Sequence, residues 1–446
     1  MKIKKVLGTL VAGTAMLAIA GTATADNKFI NMYGASAQFS YWQAATPAFL
    51  TAQGCGAVSR SVSTDGNHGI TQATCGGDTV YIRYSNKASY DGILALEGNN
   101  GVAYGTPQCA NGTDRLMLDE TVCTYAAFPA APGNCGATAT KCVPVTLAAS
   151  DVAGSSFQQK SSGNIKGPAG GGQYTLAQRT FTGVTTTAPV ALSSQNPLIV
   201  PFAFFVNKGV QRETPPYGSG NWATISNINR LMAVHIYSGA VSSWKDFGDD
   251  FRVWDGAAVV AGNPINVCMR HAGSGTHATL DYAVVRGNGW GGTLSFLQGA
   301  NRYFNDSTGD MMNCINGGNW AGNGTGGVNW PAYGAIGYAD ADRANLANTA
   351  GPLNYQGEAP NRVNIRNGRY DFWTLEWLYL DPANADYLAS KAMIDAMEGF
   401  AGDPVNLTTL IPSKANYWAT KAEMKVKKVS DPSYPVRQVP TSPQLP

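Results

Sequence analysis

Short apolar runs alternate with helical patterns along most of this chain. "TVYIRYS", "VPVTLAAS", "IVPFAFFVN" and "AIGYA" have strand length and are rich in β-branched and aromatic residues. "SNINRLMAVHIYSG" and "ADYLASKAMIDAMEGFAG" carry apolar residues at helical spacing. Such alternation predicts α/β layers with mixed, mostly parallel sheets. At 446 residues the chain exceeds one ordinary domain, so two are expected.

Four strand-to-helix junctions concentrate small and hydroxyl residues. In "FINMYGASAQFSYWQAATPAFL" a strand gives way at Gly34-Ala35-Ser36-Ala37-Gln38-Phe39-Ser40 to an amphipathic helix. In "VYIRYSNKASYDGILALEG" Ser89 precedes Asp91-Gly92 and a helix, and "VPVTLAASDVAGSSF" sets Ser150 and Asp151 at the end of a strand. The fourth, "CMRHAGSGTHATLDYAVV", runs from Cys268 to Val285 and joins Arg270 to a glycine-bearing helix start. Ligands of α/β proteins bind where strands end and helices begin, because free backbone N–H groups converge there. Ser and Asp are also ordinary helix caps, and glycine an ordinary turn residue, so each junction taken alone has a structural explanation.

The compartment follows from the start of the chain and the cysteines. Residues 1–25 combine Lys2, Lys4 and Lys5, an apolar stretch from Val6 to Ala20, and Ala23-Thr24-Ala25 in small-x-small form. They are expected to be a secretory signal cleaved near Ala25, leaving a product in the periplasm or outside the cell. Eight cysteines are then exposed to oxidising conditions: Cys55, Cys75, Cys109, Cys123, Cys135, Cys142, Cys268 and Cys314. Nearest-neighbour pairing is the expectation, Cys55 with Cys75, Cys109 with Cys123, Cys135 with Cys142 and Cys268 with Cys314, although spacing leaves the connectivity open. The segment 98–142 holds four of them and reads as a stapled insertion. No Cys-x-x-Cys is present and His68, His235, His271 and His277 stand apart, so neither metal nor other cofactor is expected.

Charge excludes a further class. Removing the three signal lysines from 31 basic residues leaves 28 against 29 acidic ones, a net −1. That balance is no nucleic-acid footprint. An anion would have to be held by a few placed donors rather than by a diffuse field.

The order of the four junctions, followed by "INRLMAVHIYSGAVSSWKDFG", "AYGAIGYADAD" and "VNIRNGRYDFWTLEWLYL", resembles the periplasmic phosphate-binding proteins of ABC transporters. The likeness is sharpest at Arg270 to Thr276, at the "YSG...SSWKD" helix end over 237–246, and at Gly334 to Tyr338. It implies the type II periplasmic binding fold, two α/β lobes joined by a two-stranded hinge. One lobe would take 26–205 and 372–446, the other 206–371, with crossings near Val206-Asn207 and Arg369–Phe372. It also implies a monomer that binds phosphate or a related oxyanion without catalysis, and an ABC permease as partner. Contacts carried over by position are Gln38, Phe39, Ser89, Asp151, Arg270, Ser274, Gly275 and Thr276.

The residue types support that set. Backbone N–H groups at Phe39, Gly275 and Thr276, hydroxyls of Ser89, Ser274 and Thr276, and the Arg270 fork are all donors suited to an oxyanion. Asp151 would accept a proton from phosphate or arsenate and repel sulfate, which has none to give. Two positions depart from the family pattern. Ala272 stands where an aspartate is usual, and Gln38 where a threonine or serine is. Asp151 is left as the one carboxylate placed at the ligand, and a larger or differently charged oxyanion stays open. His271 and His277 read as packing or surface residues, and the aromatic clusters "YDFWTLEWLYL" and "NYW" as core. Two other readings remain open at this point, a phosphomonoesterase-like enzyme and a secreted surface or matrix protein of the same fold.

Overall fold

The structure is a computed structural model and describes residues 26–99, 108–157, 160–162, 178–180, 192–270, 273–286, 302–305, 307–317 and 332–437. The expected signal over 1–25, His271, Ala272 and most of the loops 154–174 and 316–330 lie outside the described residues.

Two large sheets organise the chain. The first is built on β1 (Asn27–Ala35), β2 (Gly56–Ser63), β3 (His68–Cys75) and β4 (Asp78–Lys87). Its order runs Ser193–Gln195, Trp377–Leu380, Leu147–Ser150, β1, β4, β3, β2, Ala126–Ala127. The second runs Arg302–Asn305, Asn266–Arg270, Ala335–Asp340, Leu198–Asn207, Thr349–Ala350. Both are mixed, as the α/β pattern predicts. Parallel pairing lies at the middle of the first sheet, where β1 sits between β4 and Leu147–Ser150, and at one edge of the second, where Asn266–Arg270 sits between Arg302–Asn305 and Ala335–Asp340. Most flanking pairs are antiparallel, so the expected predominance of parallel pairing is corrected. The reason is local. Short turns such as the one between β3 and β4 can join only antiparallel strands, whereas parallel neighbours need a crossover.

Burial explains the central strands. A parallel strand covered on both faces reads as a continuous apolar run, and β1 is buried without a break from Ile30 to Ala35. Leu198–Asn207 is buried along its whole length. Its first residues pair with Trp373–Leu375 and Ala419–Thr420, and from Phe202 onward it pairs with Ala335–Asp340 and then Thr349–Ala350. Phe202 also receives the Tyr370 hydroxyl on its carbonyl at 2.6 Å, and its N–H donates to Phe372 O at 3.1 Å. The aromatic segment from Tyr370 to Leu378 thus fills core, as expected, with Tyr370, Phe372, Trp373 and Leu378 all buried.

Five helices matter for the site: α1 (Phe39–Ala52), α2 (Ser89–Leu96), α3 (Arg230–Ser238), α4 (Gly275–Thr279) and α5 (Thr308–Asn316). α2 packs on β1 and Leu147–Ser150, and α5 on Ala335–Asp340. α3 ends at Gly239 in the left-handed conformation (φ 75°), the position glycine tolerates best, and Ser243 and Asp246 then form a reciprocal capping box.

The four disulfides are Cys55–Cys75, Cys109–Cys142, Cys123–Cys135 and Cys268–Cys314. The first and last match nearest-neighbour pairing. The expected Cys109–Cys123 and Cys135–Cys142 bridges are corrected to a nested pair. Asp114–Leu118 pairs antiparallel with Thr140–Pro144, Leu116 opposite Cys142, which folds Cys142 back toward Cys109. Inside that loop Thr124 N–H donates to Asn134 O at 3.2 Å and sets Cys123 beside Cys135.

Candidate functional site

The first junction is shaped by a close approach. Gly34 has φ +136°, and a Cβ there would stand 2.2 Å from Ala149 O on the neighbouring strand. Only glycine fits this conformation and this gap. The chain then turns through Ser36–Gln38 into α1. Gln38 is fully buried and donates from Nε2 to Ser150 O at 3.0 Å and Asp151 Oδ1 at 3.1 Å, while its Oε1 is buried with no partner. Phe39 turns its backbone N–H to Ser36 O and its ring edge-on to Tyr84, 5.7 Å between centroids.

Ser89 opens α2, yet the cap of that helix is Ala88, with no side-chain cap bond. The Ser89 hydroxyl is spent elsewhere. It accepts from Asp151 N at 3.3 Å and from Gly275 N at 3.2 Å, and donates to Asp151 Oδ2 at 3.5 Å. Ser274 behaves differently. It is the N-cap of α4 and accepts from His277 N at 3.4 Å, so the ordinary capping explanation holds there.

Asp151 lies at the centre and is 1% exposed. Thr276 Oγ1 adds a third side-chain donor at 3.3 Å. Burial pushes its carboxyl up to about 6, against the downward pull of Gln38, Arg270, Thr276 and Ser89.

Arg270 ends the strand Asn266–Arg270 and is likewise 1% exposed. Its Nε donates to Asn305 O at 3.2 Å, and Nη1 to Ser36 Oγ at 3.0 Å and Thr308 Oγ1 at 3.4 Å. Its backbone N–H donates to the Tyr338 hydroxyl at 3.0 Å, and that hydroxyl also lies 2.7 Å from His277 Nδ1. The hydroxyl accepts from Arg270 and shares a second hydrogen bond with Nδ1, whose direction follows the imidazole tautomer. His277 is therefore a buried packing residue, as its sequence position suggested.

The structure thus gathers Gln38, Ser89, Asp151, Gly275 and Thr276 by direct contact and places Arg270 near enough to pull on the Asp151 charge. Ser274 belongs by its cap and Phe39 by position only. Ser36, Thr308 and Tyr338 were not singled out by the sequence. Ser36 and Tyr338 sit inside quoted motifs, but Thr308 comes from "NDSTGDMMN", which carries no signature beyond a helix cap. Among the described residues no group of three His, Cys, Asp or Glu side chains could hold a metal ion, and no helix is long and apolar enough to cross a membrane.

Chemically the cluster is one buried carboxylate and one buried guanidinium among hydroxyl, amide and backbone donors. Gln38 Nε2, Ser89 Oγ, Gly275 N–H and Thr276 Oγ1 bond to groups of the cluster itself in this state. An oxyanion would replace those internal bonds rather than add to them.

No protein-family model matches the chain, and no curated protein does. Three solved structures similar to it are phosphate transport binding proteins. One, from Clostridium perfringens, is assigned as a phosphate ABC transporter substrate-binding protein and has phosphate bound. It is 14% identical, covers 83% of this chain and 93% of its own, and superposes with a TM-score of 0.42. An ABC-type phosphate transport receptor from Vibrio cholerae is 12% identical over 87% of this chain and 99% of its own, TM-score 0.38. PstS from Borrelia burgdorferi is 11% identical over 83% and 92%, TM-score 0.32.

Proposed function

We propose that this protein is a secreted or periplasmic solute-binding protein that captures an oxyanion, phosphate foremost, and passes it to an ABC permease. The observation that carries the proposal is the meeting of Asp151, Ser89 and Gln38 with Gly275, Thr276 and Arg270 in one buried cluster. In this reading 26–205 with 372–446 form one lobe and 206–371 the other, so that Gly275–Ser89, Thr276–Asp151 and Arg270–Ser36 are contacts between lobes. The residue 1–25 signal directs export, and the protein acts as a monomer.

The chemistry of capture follows from these contacts. A protonated oxyanion donates a hydrogen bond from its O–H to the Asp151 carboxylate or to Gln38 Oε1, which has no partner among the described residues. The donors of Ser89, Thr276 and Gly275 are thereby released to ligand oxygens. Arg270 supplies the balancing charge. Charge-assisted hydrogen bonds contribute about 1.5–3 kcal/mol each, so a few of them hold a small anion on a chain of almost no net charge. Closure is favoured only as far as the ligand contacts both lobes better than one.

Binding rather than catalysis is supported by the surroundings of the hydroxyls. Ser89, Ser274 and Thr276 face a carboxylate, backbone groups or a cap, and His277 Nδ1 is turned to Tyr338. The imidazole that could activate a nucleophile is turned to Tyr338, and the carboxylate facing Ser89 and Thr276 is already held by three side-chain donors.

Calorimetry on ligand-stripped protein with phosphate, arsenate, sulfate and molybdate tests the proposal. Phosphate and arsenate should bind and sulfate should not. A folded sample that binds none of the four refutes it.

A further inference from the structure

A polar cavity of about 360 Å³ adjoins the cluster and is larger than a bare inorganic ion requires. Ser36 and Thr308 line it, and these are the two hydroxyls that hold Arg270 Nη1. One layer of hydroxyls therefore separates the cavity from the guanidinium. Cavities from roughly 300 Å³ upward are of the size that accommodates small organic ligands.

The lining specifies the kind of organic group. Asn67, Asn86 and Asn313 present amides, each with both donors and acceptors, and Lys87 and Arg343 bring positive charge. Asn86 Oδ1 is buried with no hydrogen-bond partner among the described residues, an acceptor left over in this wall. The two carboxylates in the wall are already engaged. Asp65 accepts from the Ser63 hydroxyl and the Asn67 amide, and Asp310 accepts from the Ser307 hydroxyl while its own backbone N–H donates to Ser307 Oγ. Two aromatic rings line it, Tyr33, which is buried, and His68, which is half-buried and hydrogen-bonded to Ser85, so little ring face is offered for stacking a base. Hydroxyl groups, which donate and accept at once, fit such a wall.

Asp151 is consistent with the same ligand. Its carboxylate accepts from Gln38, Ser89 and Thr276, and a phosphomonoester carries at most one acidic proton in its monoanionic form.

On the reading that the cluster is an oxyanion clamp, we infer that the ligand is a small phosphomonoester of a polyol. Its phosphoryl group sits at Arg270 and Asp151, and its hydroxyl-bearing part occupies the cavity lined by Ser36, Thr308, Asn86 and Asn313.

Isothermal titration of the ligand-stripped, mature protein with glycerol 3-phosphate and, separately, inorganic phosphate tests this. Glycerol 3-phosphate should bind at least about ten-fold more tightly, a difference of ~1.4 kcal/mol. Asn313 is exposed at the cavity mouth, and Asn313→Trp should cost the ester about ten-fold or more while changing phosphate affinity less than about two-fold. Asn86→Leu should repeat that pattern from the opposite wall. An ester that binds no tighter than phosphate, or variants that weaken both ligands equally, would overturn the inference and leave the oxyanion clamp standing. Binding of neither ligand would overturn both.

Discussion

Thr276 Oγ1 stands 3.3 Å from Asp151 Oδ2, a hydrogen bond between residues 125 positions apart in the chain. It ties the glycine-bearing helix start to the end of the strand Leu147–Ser150, and on the proposed reading the carboxylate it meets selects among anions. A fully ionised anion has no proton for Asp151, and two like charges at contact in a buried site repel strongly. Asp151→Asn removes the repulsion and supplies donors. Calorimetry should show sulfate affinity rising in the variant while phosphate affinity falls, the ratio narrowing by about ten-fold or more. An unchanged ratio would place selectivity elsewhere.

The same carboxyl links stability to pH. Burial holds it at about 6, above the ordinary carboxylate range. Between roughly pH 4 and 6 the folded chain keeps a proton that the unfolded chain releases, so Asp151 makes stability fall as pH rises through that window and adds no further change above it. The effect is on the order of 2–3 kcal/mol. Urea unfolding at pH 4.5 and pH 7 should therefore show the wild type losing more stability than Asp151→Asn over that interval. Glu398 and Asp340, also raised by burial, to about 7, act in the same direction in both proteins and cancel in the comparison.

Gly275 is held to glycine by space. A Cβ there would lie 2.5 Å from Ser89 Oγ and 2.7 Å from Asp151 Cβ. Gly275→Ala should push the two junctions apart, lowering stability by about 1–3 kcal/mol and weakening phosphate binding in the same sample. Denaturant midpoints and calorimetry read both. A variant as stable and as tight as wild type would mean the junctions do not need this contact.

How far the sequence disclosed this arrangement depended on whether a residue's partner lay near it in the chain. Ser89, Asp151 and Arg270 were legible because strand ends followed by small residues expose donors wherever they occur. Their mutual contacts were not, since Ser89 reads as a helix cap until the structure shows Ala88 in that place. Thr308 reaches Arg270 only because Arg302–Asn305 pairs with Asn266–Arg270 and delivers α5 behind it. The same non-locality misled the cysteine pairing. Cys109 and Cys142 meet through a strand pair formed by Asp114–Leu118 and Thr140–Pro144, and no spacing rule encodes that register. The α/β class was legible from alternation, whereas the antiparallel flanks depended on which short segments returned along the sheet edges.

Cys268–Cys314 clamps the strand carrying Arg270 to α5, which carries Thr308. It closes a separation of 46 residues. Removing such a constraint from the unfolded chain costs about 4 kcal/mol in the loop-entropy picture. Cys55–Cys75 closes 20 residues at the edge of the first sheet, worth about 3 kcal/mol by the same relation. The double variant Cys268→Ala/Cys314→Ala should therefore lose both stability and phosphate affinity, while Cys55→Ala/Cys75→Ala loses stability alone. Comparing urea midpoints with calorimetric affinities separates the two effects. Equal loss of affinity in both pairs would show that the bridge acts on global stability and not on the position of Thr308.

Arg270 is the residue whose geometry leaves least freedom. Its guanidinium is buried and divided among Asn305 O, Ser36 Oγ and Thr308 Oγ1. Lysine preserves the charge but replaces a planar fork by a single ammonium, which cannot hold the Nε and Nη1 contacts together. Arg270→Lys should leave the protein folded yet weaken phosphate by about ten- to a hundred-fold, the size of one or two charge-assisted bonds. Arg270→Ala should do worse in both respects, because Asn305 O loses the Nε donor in a buried place and the Ser36–Thr308 hydroxyl pair keeps only its mutual bond at 3.0 Å. If lysine restored wild-type affinity, the anion would be sensing charge alone and the hydroxyl pair Ser36–Thr308 would have no part in orienting it.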